Sequence, residues 1–145
     1  MLNDLINNKT PLVICDLGAS PADPTPFIDE LFKKVNCILY GFEPNENEFK
    51  KLNSTDKKKY FNYAVGNGQR ESLNICSAPG MSSILEPDFE YLKLFHGFSE
   101  WAKVIKKVNV QTKKLDDINF DKKIDFLKID VQGYEYEVIK NGNNI

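Results

Sequence analysis

Arginine and histidine are almost absent from this chain of 145 residues. Arg70 is the only arginine and His96 the only histidine, so bidentate recognition of phosphates or base edges is poorly supplied. The formal net charge is -2, whereas a nucleic-acid-binding surface needs clustered positive charge. Short lysine runs such as 57–59 and 106–107 are typical of a solvated surface. The sequence therefore predicts no nucleic-acid partner.

Cysteine is scarce, and long apolar runs are missing. Cys15, Cys37 and Cys76 are widely spaced and form no C-x-x-C pair, which argues against a disulfide framework or a zinc site. No apolar run approaches the ~20 residues of a membrane span, and the first residues lack the basic and apolar character of a secretion signal. We therefore expect a soluble, cytoplasmic protein with no bound metal and no membrane partner.

An acid and a glycine follow the first apolar run of the chain. Residues 12–15 are all apolar, a run too short for a helix and typical of a strand buried on both faces of a parallel sheet. Asp16 ends this run, and Gly18 lies two positions further. A carboxylate at the carboxyl end of such a strand, next to a glycine that lets a ligand approach the backbone, is the layout of a nucleotide-type site. We therefore predict the first strand and cofactor turn of a Rossmann-like domain.

Further strands alternate with helices along the chain. Apolar runs over 37–42, 59–65 and 124–131 are separated by segments of helical spacing, which predicts an α/β fold with a mainly parallel sheet and helices on both faces. With the first strand central, the expected order is third, second, first, fourth, and the site lies above the ends of the first and fourth strands. We expect residues 1–145 to form a single, partial domain. Within it, we expect the aromatic-rich segment 77–106 to be an insertion that serves as a lid or covers the sheet.

The expected sheet leaves one edge without a neighbour. The fourth strand, which ends at Asp130, is apolar enough to be interior, yet no later strand in the sequence covers its far side. Because an unpaired buried edge promotes aggregation, we expect the chain to be a carboxyl-terminally truncated fragment of the domain.

Two helix starts carry capping signals. Thr25 precedes Pro26, so we expect Thr25 to cap a helix whose first residue is that proline. Asn45 and Glu48 have the spacing of a reciprocal capping pair, which predicts a helix that ends near residue 53. The polar residues before the first strand predict a short helix or tail.

The glycine turn distinguishes between cofactors. Dinucleotide binding uses G-x-G-x-x-G, because two phosphates lie against the amino terminus of a helix. Here only Gly18 is present, and Pro21 and Pro24 remove amide donors. A cofactor with one ribose and no phosphate fits better, which indicates S-adenosylmethionine. In this interpretation the backbone of the turn and the Ser20 hydroxyl face the methionine part of the cofactor, and Asp16 orients its amino group.

Glu43 follows the second strand, where a carboxylate can accept hydrogen bonds from both hydroxyls of a ribose. Dinucleotide enzymes use an acid about 20 residues after their glycine turn in the same way. The alternative is an exposed acid at a helix start, favoured there by the helix dipole. With Asp16 and Gly18 on the neighbouring strand, we favour the ribose role.

In this order, five motifs resemble those of the FkbM-type methyltransferases: DLGAS at 16–20, GFEP at 41–44, AVG at 64–66, LDDI at 115–118 and DFLKIDVQGYE at 125–135. A loop at 78–83 resembles one branch of that family, and the likeness covers nearly the whole chain. The resemblance implies a Rossmann-like fold and an S-adenosylmethionine-dependent O-methyltransferase that acts on sugar or polyketide-like hydroxyls.

The resemblance also assigns roles by position. The residues it implies at the cofactor are Asp16, Gly18, Ala19, Ser20, Glu43, Pro44, Ala64, Val65 and Asp130. Among these, Ala64 and Val65 flank adenine, and Asp130 faces the transferred methyl group. Many relatives have a further glycine soon after Ser20, where this chain has proline, alanine, aspartate and proline at 21–24.

For each of three features, the sequence allows both a functional and a structural interpretation. Asp130 is the candidate base or substrate orienter, and the alternative is an acid that only shapes the helix entry. His96 is a second candidate base, for which a surface or packing role is the alternative. Asp116 and Asp117 are better explained as a cap on their own turn than as a magnesium site.

Two other functions fit parts of the sequence. Tyr136 and Lys140 have the Y-x-x-x-K spacing of short-chain dehydrogenases, which would indicate a nicotinamide-dependent reductase, although the pair follows the wrong strand and the glycine fingerprint is missing. A truncated, non-catalytic domain is the other alternative. For the methyltransferase, the expected partner is a small-molecule or glycan acceptor.

Overall fold

The computed structural model describes residues 10–22 and 24–144. The strands are β1 (Leu12–Leu17), β2 (Cys37–Phe42), β3 (Lys58–Phe61), β4 (Arg70–Cys76), β5 (Val104–Gln111) and β6 (Phe126–Ile129). The helices are α1 (Pro26–Lys34), α2 (Glu46–Phe49), α3 (Phe89–Leu92), α4 (Phe98–Trp101) and α5 (Glu135–Lys140). Single 3₁₀ turns occupy Pro79–Met81 and Leu115–Asp117.

Four strands form a parallel sheet in the order β3-β2-β1-β6. This is the order expected from the sequence, and it confirms the α/β, Rossmann-like fold with β1 in the interior. In the register, Asp16 lies beside Gly41 of β2 and beside Lys128 of β6. The carboxyl ends of these three strands therefore meet at one edge of the sheet, which is called the sheet edge below.

The apolar run of β1 is buried on both faces of the sheet. Val13 packs in a cluster that contains Val138 of α5, whereas its neighbour Ile14 packs in a second cluster with Ile28 of α1. Successive side chains of a strand point to opposite faces, so α1 and α5 cover opposite faces of β1. A strand covered in this way needs apolar residues at every position, which is why the run shows no alternation.

A separate antiparallel hairpin joins β4 to β5. Leu73 of β4 lies opposite Val108 of β5, and the register shifts between Ile75 and Cys76. β5 begins at Val104, so the last residues of the expected insertion 77–106 belong to a strand.

The segment between these strands exposes its aromatic side chains. Tyr91 is 69% exposed, Phe95 59% and Trp101 48%. The rings of Phe95, Phe98 and Trp101 contact one another in sequence instead of packing under the sheet. Tyr91 and Phe95 leave more than half of their surface to solvent, so these two rings do not cover the sheet.

Both predicted caps differ from the structure in detail. Thr25 precedes the expected helix α1 but makes no side-chain capping bond. Asn45 caps α2 by accepting the Asn47 N–H, yet α2 ends at Phe49 and Glu48 does not complete the pair. The Asn45 N–H donates to Glu43 Oε1 instead. The tail expected before the first strand falls on residues 1–9, outside the described ranges.

Three further observations concern the described residues only. Cys15, Cys37 and Cys76 are free thiols, and each is buried. No described helix combines the length and apolar character that a bilayer crossing requires. Within 10–22 and 24–144, no three His, Cys, Asp or Glu residues come together as a group that could hold a metal ion.

Candidate functional site

A pocket opens at the sheet edge, above the ends of β1, β2 and β6. Its walls enclose about 680 Å³, a figure that includes the open mouth. The lining residues are Leu17, Gly18, Ser20, Phe42, Glu43, Pro44, Asn45, Tyr63, Ala64, Val65, Leu73, Pro79, Gly80, Ser82, Ser83, Ile84, Asp130, Val131, Gln132 and Tyr134. The pocket therefore brings together seven of the nine residues expected at the cofactor.

Gly18 is required where the turn after β1 meets β6. Its φ is 84°, and a Cβ at this position would lie 2.0 Å from the backbone oxygen of Asp130. The N–H groups of Gly18 and Ala19 both donate to the carbonyl of Phe42, at 3.0 Å each. Gly18 thus allows the carboxyl ends of β1, β2 and β6 to approach one another closely at the base of the pocket.

Glu43 is buried at the end of β2, with 5% of its surface exposed. Burial raises the pKa of Glu43 to about 7, the Asn45 N–H opposes this rise, and the nearby Glu48 and Asp16 carboxyls add to it. The Asn45 N–H lies 2.7 Å from Oε1. Asn62 Nδ2 donates to the Glu43 carbonyl at 2.8 Å. One of these hydrogen bonds holds the side chain of Glu43 and the other holds its backbone, so this carboxyl has a fixed place in the pocket wall.

Asp16 and Ala19 do not line this pocket. Both border a second cleft, which also contains Ser20 and Tyr60. The Asp16 carboxylate accepts a hydrogen bond from Lys128 Nζ at 3.0 Å. Strand direction explains the difference, because Asp16 projects from β1 towards the face opposite to that of Leu17, which lines the main pocket.

The turn after β6 is held by contacts to all of its parts. Gln132 is, among described residues, the only non-glycine with positive φ, at 53°. Its Nε2 donates to Asp130 Oδ1 at 2.8 Å, and its carbonyl accepts the Ser83 hydroxyl at 2.8 Å. Glu135 Oε1 accepts the N–H groups of Val131 and Gly133. A left-handed backbone conformation at a non-glycine residue costs about 1–2 kcal/mol of stability, and it persists only where such contacts hold the residue in place.

Three buried side chains, two aliphatic and one aromatic, line another part of the pocket. Ala64, Val65 and Tyr134 are each less than 7% exposed. The Tyr134 hydroxyl lies 3.3 Å from Glu71 Oε1, and burial, reinforced by that carboxyl, raises the pKa of Tyr134 to about 12. This part of the pocket is buried and lined mainly by apolar side-chain surface, which suits an aromatic ring.

Several singled-out residues lie away from the pocket. His96 is exposed in the insertion and is not among the pocket residues. Tyr136 is 70% exposed on α5, and Lys140 lies over its ring. The predicted cap at Asp116 and Asp117 is wrong, because both lie inside the 3₁₀ turn Leu115–Asp117, which has no side-chain capping bond. The Asp116 carboxylate instead accepts the backbone N–H groups of Asn143 and Asn144 and so joins two distant segments.

Thirteen of the twenty lining residues were not among the residues expected at the cofactor, and they include the polar side chains of Asn45, Tyr63, Ser82, Ser83 and Tyr134. Ser82 and Ser83 belong to the loop noted at 78–83, and Tyr134 follows Gly133 in the last motif, so position next to a motif was the available signal. Asn45 and Tyr63 carried no signal in the sequence beyond their closeness to Glu43 and Ala64.

Comparison with known proteins gives one match. The model of the methyltransferase FkbM domain matches residues 16–145. The chain belongs to this family. No curated protein and no solved structure matches it. Membership of the FkbM family identifies the chain as a methyltransferase domain. Of the nine residues expected at the cofactor, the pocket at the sheet edge lacks only Asp16 and Ala19.

Proposed function

We propose that this FkbM domain transfers a methyl group from S-adenosylmethionine to a hydroxyl of a sugar, a polyketide-like molecule or another small-molecule or glycan acceptor. The observation that carries the proposal is the charge of the pocket. Of the described residues that line it, none is lysine, arginine or histidine, whereas Glu43 and Asp130 contribute carboxylates. Such a wall favours a neutral or cationic ligand and disfavours a pyrophosphate.

The residues present fit S-adenosylmethionine. Glu43 is placed to bind the ribose hydroxyls, since its carboxyl lies at the end of β2 and only one of its oxygens is engaged by Asn45. Ala64, Val65 and Tyr134 form the apolar wall for adenine. Gly18 and Ser20 lie at the remaining end of the pocket, beside Asp130. When bound, this cofactor supplies a methyl group activated by a sulfonium.

Asp130 carries the acceptor chemistry in this proposal. Methyl transfer to oxygen needs the acceptor hydroxyl in line with the leaving group, and a nearby carboxylate that accepts its hydrogen bond. Asp130 lies at the pocket mouth with its side chain 37% exposed, so an acceptor can reach it. His96 stays a weaker candidate base, because closure of the insertion would be needed to bring it near.

The insertion at 77–106 is proposed as a lid. Its first part, including Pro79 and Ser83, already forms a wall of the pocket. Its second part exposes aromatic rings that are free to contact an acceptor. Closure would exclude water from the site of transfer.

Isothermal titration with S-adenosylmethionine and, separately, with NADH tests the proposal. We expect heat from S-adenosylmethionine alone. Glu43→Ala should weaken this binding by more than ~1 kcal/mol, the scale of a lost hydrogen bond to a charged group. Glu46→Ala is the matched control, because Glu46 is an exposed acid only three residues further along the chain.

Two outcomes contradict the proposal. Heat from NADH alone would favour the reductase, and the absence of heat from both would favour a non-catalytic domain. Unchanged affinity in Glu43→Ala would remove Glu43 from the ribose while leaving the cofactor assignment in place.

A further inference from the structure

Lys128 lies among the acids of the sheet edge, and the proposed function gives it no role. It lies on β6, in register with Asp16 on β1. Its Nζ lies 3.0 Å from Asp16 Oδ1 and 3.7 Å from Asp130 Oδ2. The Lys128 side chain is 19% exposed and that of Asp16 only 7%. The ammonium group is therefore enclosed between two carboxylates from different strands.

The two carboxylates differ in what else they touch. Asp16 borders the second cleft, whereas Asp130 borders the pocket of the proposed function. The hydrogen-bonded partner of Lys128 is Asp16, so this buried carboxylate anchors the ammonium group at the strand ends. From there the positive charge faces Asp130 Oδ2 at 3.7 Å, a distance of attraction without a direct hydrogen bond.

Asp130 is held at its second oxygen as well. Gln132 Nε2 donates to Oδ1 at 2.8 Å, from a residue whose backbone is left-handed. The Asp130 N–H donates to the Leu17 carbonyl at 2.9 Å. With Gln132 on one oxygen and Lys128 beside the other, the carboxylate plane has one favoured orientation at the pocket mouth.

We infer that Lys128 is a positioning residue of this methyltransferase, which acts by fixing the carboxyl group of Asp130 towards the ligand in the pocket. Asp16 takes part only indirectly, as the anchor of Lys128. The inference rests on the proposed function for the identity of the ligand. The juxtaposition of Lys128, Asp16 and Asp130 stands without it.

The first test measures the cofactor-free protein. Hydrogen–deuterium exchange of the segment 129–133 should become about tenfold faster in Lys128→Met, because the turn loses the charge that faces Asp130. Lys128→Arg keeps a permanent charge and should restore the wild-type rate within about threefold. Lys33→Met is the matched control, since Lys33 pairs with Glu30 on the exposed face of α1. Equal exchange in the wild type and Lys128→Met overturns the inference.

The second test measures S-adenosylmethionine affinity at a temperature where far-UV circular dichroism shows each variant folded. Lys128→Met should bind about tenfold more weakly and Lys128→Arg nearly as well as the wild type. In an Asp130→Asn background, the same lysine substitution should change affinity by less than about twofold, because the two residues act as one unit. A tenfold loss that persists in this background overturns the route through Asp130.

Folding failure and failure of the proposed function are both recognisable. If Lys128→Met does not fold, the double variant Asp16→Asn/Lys128→Met is used in both tests in its place. The double variant removes both buried charges, so neither is left without its partner. If the wild type itself does not bind S-adenosylmethionine, the proposed function is wrong, and the exchange measurement alone decides the role of Lys128.

Discussion

The sheet edge and the insertion both contain aromatic and acidic residues, but these side chains are buried at the sheet edge and exposed in the insertion. Phe42 at the sheet edge is 1% exposed and stacks on Phe61 with ring centroids 5.1 Å apart. Phe95 in the insertion makes a similar contact with Phe98, at 5.5 Å, yet is 59% exposed. The sheet edge is buried between helices on two faces, whereas the insertion has only two four-residue helices of its own.

This difference shows where the chemistry of the domain lies. At the sheet edge, acids such as Glu43 are buried, and their hydrogen bonds to neighbouring backbone fix their positions. In the insertion, Glu86 and Glu90 pair with lysines, but 65% and 83% of their side chains stay exposed. A precise site needs side chains whose orientation is fixed by packing and hydrogen bonds, so it forms at the sheet edge.

Two glycines with nearly equal φ give the largest expected contrast. Gly18→Ala should lower the free energy of unfolding by more than ~3 kcal/mol, because it combines a left-handed alanine with a Cβ 2.0 Å from the Asp130 carbonyl oxygen. Gly97→Ala in the insertion has φ 82° and only the Trp101 ring within reach, so its loss should be about 1–2 kcal/mol. Urea denaturation of both variants measures the difference.

Equal losses for the two alanine variants would contradict the comparison. Equal losses would mean that left-handed backbone strain alone determines the loss of stability. They would also mean that β6 moves away from the new Cβ at position 18 at no cost in free energy.

The pH dependence of Glu43 is the second test. The pKa of Glu43 is about 7 in the folded chain and near the ordinary glutamate value of 4.5 when unfolded, so the folded state binds the proton more tightly between these values. Stability is therefore lost as the pH rises from 4.5 to 7. Glu43→Gln keeps an acceptor for the Asn45 N–H and cannot ionise, so it should gain about 1–3 kcal/mol at pH 8 and little at pH 4.

Thermal unfolding of Glu43→Gln and of Glu46→Gln across this pH range provides the measurement. Glu46 is exposed and its pKa is lowered by the Lys50 side chain, so the control should show no gain at pH 8. A constant offset for Glu43→Gln at every pH would show that burial does not control this carboxyl.

The smallest effects are expected in the insertion. Tyr91→Ser and Leu94→Ser replace side chains that are 69% and 72% exposed. Each should change the free energy of unfolding by less than ~0.5 kcal/mol, as is usual for surface substitutions. Phe42→Ala is the matched change at the sheet edge and should cost about 3–5 kcal/mol. A loss above ~1 kcal/mol in Tyr91→Ser would show that the insertion packs against the fold in solution.

Much of the fold could be predicted from local pattern. The unbroken apolar run of β1 predicted burial on both faces, and the alternation of strands and helices predicted the parallel order β3-β2-β1-β6. The positions of Gly18, Glu43 and Asp130 in the pocket followed from that order, because the carboxyl ends of parallel strands meet at one edge. The length of α2 was overestimated, since the helix ends at Phe49. The reciprocal capping pair was also wrong, because the Asn45 N–H donates to Glu43 and not to Glu48.

The sequence by itself therefore determined which strands form, in which order, and which acids stand at their ends, because these depend on short-range periodicity and on the rules of parallel sheets. Only the tertiary structure decided that Asp16 turns to Lys128, 112 positions away, and leaves the main pocket. It also decided that Ser83 holds the Gln132 carbonyl and that the aromatics of the insertion stay exposed. These outcomes depend on contacts between distant segments, which no local pattern encodes.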